Sequence, residues 1–133
     1  MEMATMQDKI DEVVKSGKPK KYFNLMGTDN FRVWLNVYMP GEGTNGLHYH
    51  NTDETFTVIE GSGHIVHRDG SQTKVEKGSV VLLPAKYYYD IKNTGDTVMA
   101  LLGNRAEGFG GPTIYLDPAM NEKMKGRKQF GDS

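Results

Sequence analysis

Apolar positions change their period along this chain. Met3, Met6, Ile10 and Val13 recur at three- and four-residue spacing, predicting a short amphipathic helix over residues ~4 to 16 that Gly17 and Pro19 terminate. The Lys18 to Lys21 run, broken by Pro19, reads as a solvated turn. From Phe31 the period becomes two. Phe31, Val33, Leu35 and Val37 alternate with Arg32, Trp34, Asn36 and Tyr38, the mark of a strand with two distinct faces. Pro40-Gly41-Glu42-Gly43 breaks it, and a strand around His48 to His50 and another over 55–60 follow. Gly61-Ser62-Gly63 and Asp69-Gly70 are hairpin signals. Residues 79–83 form a compact apolar strand closed by Pro84, and Asn93-Thr94-Gly95-Asp96 turns the chain into a strand over 98–102. Beyond Gly103 the pattern weakens: residues 109–112 read as a flexible connection, 113–116 as one more strand, and 121–128 as a charged helix or tail.

Short strands with a turn about every ten residues predict an all-β sandwich or barrel. The division is a helical appendage over 1–20, a β-barrel over 21–116 and a charged helix or tail over 117–133, without repeats. An open sheet edge and the apolar-faced strand from Phe31 to Val37 predict a homodimer.

Composition narrows the function. With 133 residues the chain has the size of one domain. Its 16 basic and 17 acidic residues nearly cancel, leaving no basic stripe for nucleic acid and no polybasic cluster for a membrane surface. No apolar run approaches the ~20 residues of a membrane span, and the acidic N-terminus lacks a signal-peptide core. A cytoplasmic location is the default expectation. There is no cysteine, so disulfides, thiolate ligands and a cysteine nucleophile are excluded and any metal would rest on nitrogen and oxygen.

The densest chemistry lies at His48-Tyr49-His50 and Glu54. Alternation on a strand points His48 and His50 the same way, and Glu54 keeps that parity if the strand runs on. Two imidazoles and a carboxylate then suit a divalent transition metal. Tyr87 and Tyr89 share one face and Tyr88 the other, placing Tyr87 at the mouth of a cavity into which Tyr89 points. Phe56 shares Glu54's parity and lines the same cavity. Trp34 and Tyr38 belong to either core or pocket. His64 and His67 read as exposed hairpin histidines outside the site. Lys86 reads as a solvated loop charge, and Arg105 as a surface arginine unless it clamps a substrate carboxylate.

These residues resemble the cupin superfamily. His48-x-His50, three residues, Glu54, six residues and Gly61 match its first motif, although neither Gly41 nor Gly43 falls at the leading glycine. Gly78, Pro84 and Asn93 fall in register with the second motif, while Lys86 replaces its second glycine and Tyr89 its histidine. The resemblance covers about residues 31 to 103 and implies a jelly-roll-like antiparallel barrel with a central metal. It implies one divalent transition metal per chain, iron first and zinc, manganese or nickel otherwise, on His48, His50, Glu54 and Tyr89. Tyr89 would be a phenolate ligand, a protonated neighbour of a 2-His-1-carboxylate triad, or packing in a decayed site.

The expected function is therefore a metal-dependent enzyme acting on a small organic molecule held by Phe56 and Tyr87. An iron oxygenase on His48, His50 and Glu54 leads. A lyase or isomerase with Tyr89 as ligand or acid–base group is the alternative. A non-catalytic metabolite- or metal-binding protein belongs to a second class.

Overall fold

The computed structural model describes residues 1–125, so the expected tail beyond 125 lies outside the described residues. Two five-stranded antiparallel sheets face one another. The first, in the order β1-β2-β9-β4-β7, comprises β1 (Lys20–Thr28), β2 (Phe31–Tyr38), β9 (Met99–Arg105), β4 (Glu54–Glu60) and β7 (Val80–Leu83). The second, in the order β10-β3-β8-β5-β6, comprises β10 (Ile114–Tyr115), β3 (His48–Tyr49), β8 (Tyr89–Lys92), β5 (Ser62–His67) and β6 (Gln72–Glu76). The expected all-β barrel with a short N-terminal helix is what the chain forms.

The helix α1 (Gln7–Ser16) ends where Gly17 adopts a left-handed conformation with φ 72°. Ile10 and Val13 bury against Leu35, Val37 and Ala100 on the outer face of the first sheet. Each fully buried side chain of this kind contributes about 1.5–3 kcal/mol. This alters the expectation for Phe31 to Val37: α1 already covers Leu35 and Val37, so that part of the strand is not open to a second subunit. The Lys18 to Lys21 turn also ends sooner than expected. Lys20 opens β1, and its Nζ donates to Gly43 O and Asn45 Oδ1, both at 2.8 Å.

The opposite face of β2 looks into the barrel, where Arg32, Trp34, Asn36 and Tyr38 are all buried. One end of the interior is filled by apolar side chains, among them Val58, Ile65, Val75 and Met99. The other end stays open. Asn93 pins a turn between the sheets: its amide donates to Tyr38 O and Thr97 O, each at 2.9 Å, and accepts from Gly95 N at 3.0 Å. Helix α2 (Pro118–Met124), capped by the Asp117 side chain, carries Met124 to the cavity rim.

Candidate functional site

His48 and His50 arrive from the second sheet, Glu54 from the first. The strand does not run on between them: β3 ends at Tyr49 and the chain crosses to the facing sheet before β4 begins. The three residues still converge, because crossing the barrel turns two inward faces toward each other. All three are buried, as is Tyr89, which pairs directly with His48 across β3 and β8. The His48 ring lies 4.3 Å from the Tyr89 ring and 5.1 Å from the His50 ring, centroid to centroid.

The orientation of each imidazole is set by backbone. His48 Nδ1 donates to Gly46 O at 2.8 Å, and Gly46 N in turn donates to Asp90 Oδ1 at 3.2 Å. Asp90 also accepts from the Thr44 hydroxyl, so one buried carboxylate organises the turn that aims His48. One ring nitrogen of His50 bonds the Pro112 carbonyl. With one nitrogen of each ring given to a carbonyl, the other is an unprotonated acceptor. Burial holds both rings neutral. It lowers His48 below the ordinary 6.5, and it takes His50 well below that value with help from the Arg105 and His48 charges.

Glu54 is fully engaged. Its Oε1 accepts the Tyr89 phenol at 2.6 Å, and its Oε2 forms a buried ion pair with Arg105 Nη2 at 2.9 Å. Burial and the Glu54 charge push the Tyr89 phenol well above 10, so it is the donor in that bond. Arg105 corrects the sequence reading: it is an interior residue, 3% exposed, beside Glu54 in the β4–β9 register. Strand β9 runs three residues past the expected strand end, and on it Arg105 shares parity with Leu101 and Gly103. The guanidinium lies 4.9 Å from the Trp34 ring, whose other neighbours are the Arg32 guanidinium at 5.4 Å and the parallel Tyr22 ring at 6.1 Å. Gly103 makes room for this stack, since a Cβ there would stand 2.4 Å from the indole.

These residues line a cavity of about 410 Å3, with Phe56, Ile91, Tyr115 and the segment 110–113 completing the wall. That volume falls within the range of small-molecule pockets, roughly 300–1,000 Å3. Phe56 sits where expected, and Trp34 and Tyr38 belong to the pocket. Tyr87 does not reach it. Residues 84–88 are a loop rather than a strand, so alternation fails, and the Tyr87 hydroxyl instead lies 2.7 Å from His67 Nδ1 on the outer surface. Lys86 turns that loop with φ 65°, the left-handed backbone a glycine would supply. His64, half-buried on β5, bonds Thr94 Oγ1 at 2.6 Å and lies outside the cavity, as expected.

A family model described as a cupin domain matches residues 34–103. The chain belongs to the cupin family. It is 27% identical over 86 residues to auxin-binding protein 1 of Arabidopsis thaliana, covering 59% of this chain and 43% of that protein. It therefore spans less than half the length of this curated relative. Among solved structures it is similar to the capsular polysaccharide assembling protein CapF of Staphylococcus aureus, at 30% identity and TM-score 0.62 over 72% of this chain and 31% of that one. It is also similar to the polyketide cyclase RemF of Streptomyces resistomycificus, at 20% identity and TM-score 0.65 over 81% of each chain. The last likeness shows the shared fold alone.

Cupins often hold a metal, and the donor set here can be tested against one. The imidazoles fit, because each presents an acceptor nitrogen fixed by a carbonyl behind it. The carboxylate fits less well: each Glu54 oxygen already accepts a hydrogen bond, and the Arg105 charge opposes a second cation at the same place. Among the described residues no group of three or more His, Cys, Asp or Glu side chains is arranged to hold a metal ion. His48, His50 and Glu54 thus converge with the carboxylate held by Tyr89 and Arg105.

Proposed function

We propose that this cupin is an enzyme of the lyase or isomerase kind that moves a proton on a small carbonyl compound, using its own side chains. The observation that carries the reading is the buried pair of neutral imidazoles, His48 and His50, facing a carboxylate locked by Tyr89 and Arg105. An imidazole neutral at pH 7 accepts a proton, His48 more readily than His50 because burial lowers it less, and general base catalysis of this type contributes roughly 10²–10⁴-fold. The Glu54–Arg105 pair fixes a guanidinium at the cavity wall, where its remaining N–H groups suit an anionic group of the bound compound. The proton passes from the substrate carbon to an imidazole nitrogen, and its return to a different atom completes an isomerisation.

The test follows solvent deuterium entering phenylpyruvate and neutral phenylacetone by NMR, in the presence of a chelator. The reading predicts exchange above background in at least one of them, reduced at least roughly tenfold in both His48→Asn and His50→Asn. Background exchange in both compounds, or catalysis abolished by the chelator, contradicts it. Binding without exchange would indicate a metabolite-binding protein.

A second reading, an iron-dependent oxygenase on His48, His50 and Glu54, is favoured by the carbonyl-anchored imidazole tautomers. It requires Glu54 to leave Arg105 or Tyr89. Oxygen uptake by the iron-loaded protein, lost on removal of the iron and restored by reloading it, would establish it. A homodimer remains part of the proposal, now through the β7 edge of the first sheet, where Val80 and Leu82 are 70% and 64% exposed.

A further inference from the structure

The cavity wall opposite the histidines carries polar groups that nothing in the barrel satisfies. The hydroxyls of Tyr22 and Tyr38, Asn36 Oδ1, and Nε and Nη1 of Arg105 are buried without a hydrogen-bond partner among the described residues. Tyr38 is fully buried and Arg105 is 3% exposed. Buried polar groups are satisfied in the great majority of native structures, so several orphans lining one cavity mark where a ligand's polar atoms belong. Most of these orphans are donors, and Asn36 Oδ1 is the acceptor among them.

The charge of the missing group is indicated by Glu107. Its Oε1 forms an ion pair with Arg105 Nη1 at 3.7 Å, beyond hydrogen-bond distance, and has no hydrogen-bond partner. A carboxylate is thus drawn toward Arg105 from the segment that borders the cavity but does not seat there. A second buried guanidinium, Arg32, stands beside Arg105 in register across β2 and β9. The walls around these groups are flat and aromatic, with the indole of Trp34 and the parallel Tyr22 ring on one side.

We propose that the cavity takes a planar aromatic carboxylate, its anionic oxygens received by Arg105, Tyr38 and Tyr22 and its ring lying along Trp34. Resting on the small-molecule reading above, this names the substrate class for the same site. A bound carboxylate seats on the two guanidinium nitrogens that Glu54 leaves unused, and a ring hydroxyl would satisfy Asn36. Charge-assisted bonds of this kind discriminate strongly against a neutral isostere.

The protein contains a single tryptophan, Trp34, so its fluorescence reports on this cavity alone. The experiment titrates tag-free protein with phenylacetate and with neutral phenylacetamide, in the presence of EDTA, by Trp34 fluorescence and calorimetry. Phenylacetate should bind at least roughly tenfold more tightly than the amide. Tyr38→Phe, which removes only an unpartnered hydroxyl, should keep or raise the melting temperature while weakening phenylacetate roughly fivefold or more. Equal affinity for acid and amide, an unchanged affinity in Tyr38→Phe, or the absence of phenylacetate binding in EDTA overturns the proposal. Deuterium exchange into phenylacetone without phenylacetate binding would remove this inference and leave the proton-transfer reading. Phenylacetate binding without exchange would do the reverse.

Discussion

The phenol of Tyr89 and the carboxylate of Glu54, 35 residues apart in sequence, meet at 2.6 Å and join the two sheets across the barrel. A hydrogen bond to a charged group contributes about 1.5–3 kcal/mol. Tyr89→Phe should therefore lower stability by about that amount in chemical denaturation. An unchanged midpoint would show that the phenol and carboxylate do not hold each other.

Arg105 and Glu54 form a buried ion pair in which each neutralises the other. Removing one partner leaves an uncompensated buried charge, which typically destabilises by about 3–5 kcal/mol. Arg105→Met and Glu54→Gln should each be strongly destabilising, and the double variant should lose much less than their sum. Additive losses in the double-mutant cycle would sever the two residues energetically.

Acid should loosen the fold through the histidines. In the folded state His48 lies below the ordinary 6.5 and His50 well below it, whereas the unfolded chain returns to that value. Below about pH 6.5 the unfolded chain takes up protons that the folded chain refuses. Stability is thus full above that pH and declines as pH falls, by about 1.4 kcal/mol per pH unit for each histidine until its own folded value is reached. Thermal melting between about pH 7 and pH 5 should show this fall, shallower in His50→Asn. A flat profile would mean the rings are not held neutral.

Lys86 occupies a left-handed backbone conformation at φ 65°. An L side chain there is strained by about 1–2 kcal/mol relative to right-handed backbone, and glycine is free of that strain. Lys86→Gly should leave stability unchanged or raise it by up to about 1 kcal/mol, since glycine's extra freedom in the unfolded chain offsets part of the relief. A clear loss of stability would assign the lysine side chain a contact of its own.

Much of the barrel was legible because its strands alternate and its turns carry glycine and proline. Period-two spacing placed His48 and His50 together, and the motif positions singled out Glu54 and Tyr89. Strand β1 was hidden by Pro19 and the lysines around it, although Tyr22 and Asn24 alternate with Phe23 and Leu25 in the expected way. Arg105 was hidden for a different reason. A lone arginine beyond the clear strand looks like a surface charge, and only by extending the parity of Leu101 and Gly103 does it fall on the interior face. Tyr87 was misplaced by the same rule applied to a loop. Whether Glu54 faces a metal or a guanidinium depends on which side chain arrives from another strand, and no local spacing encodes that.

Arg105 and Tyr89 hold Glu54 where a metal ion would otherwise draw it. Metal analysis of tag-free protein after incubation with ferrous iron or zinc and removal of excess, with Glu54→Gln in parallel, tests it most directly. Well below one metal per chain is expected, unaffected by the substitution. Close to one metal per chain in the unsubstituted protein would contradict it.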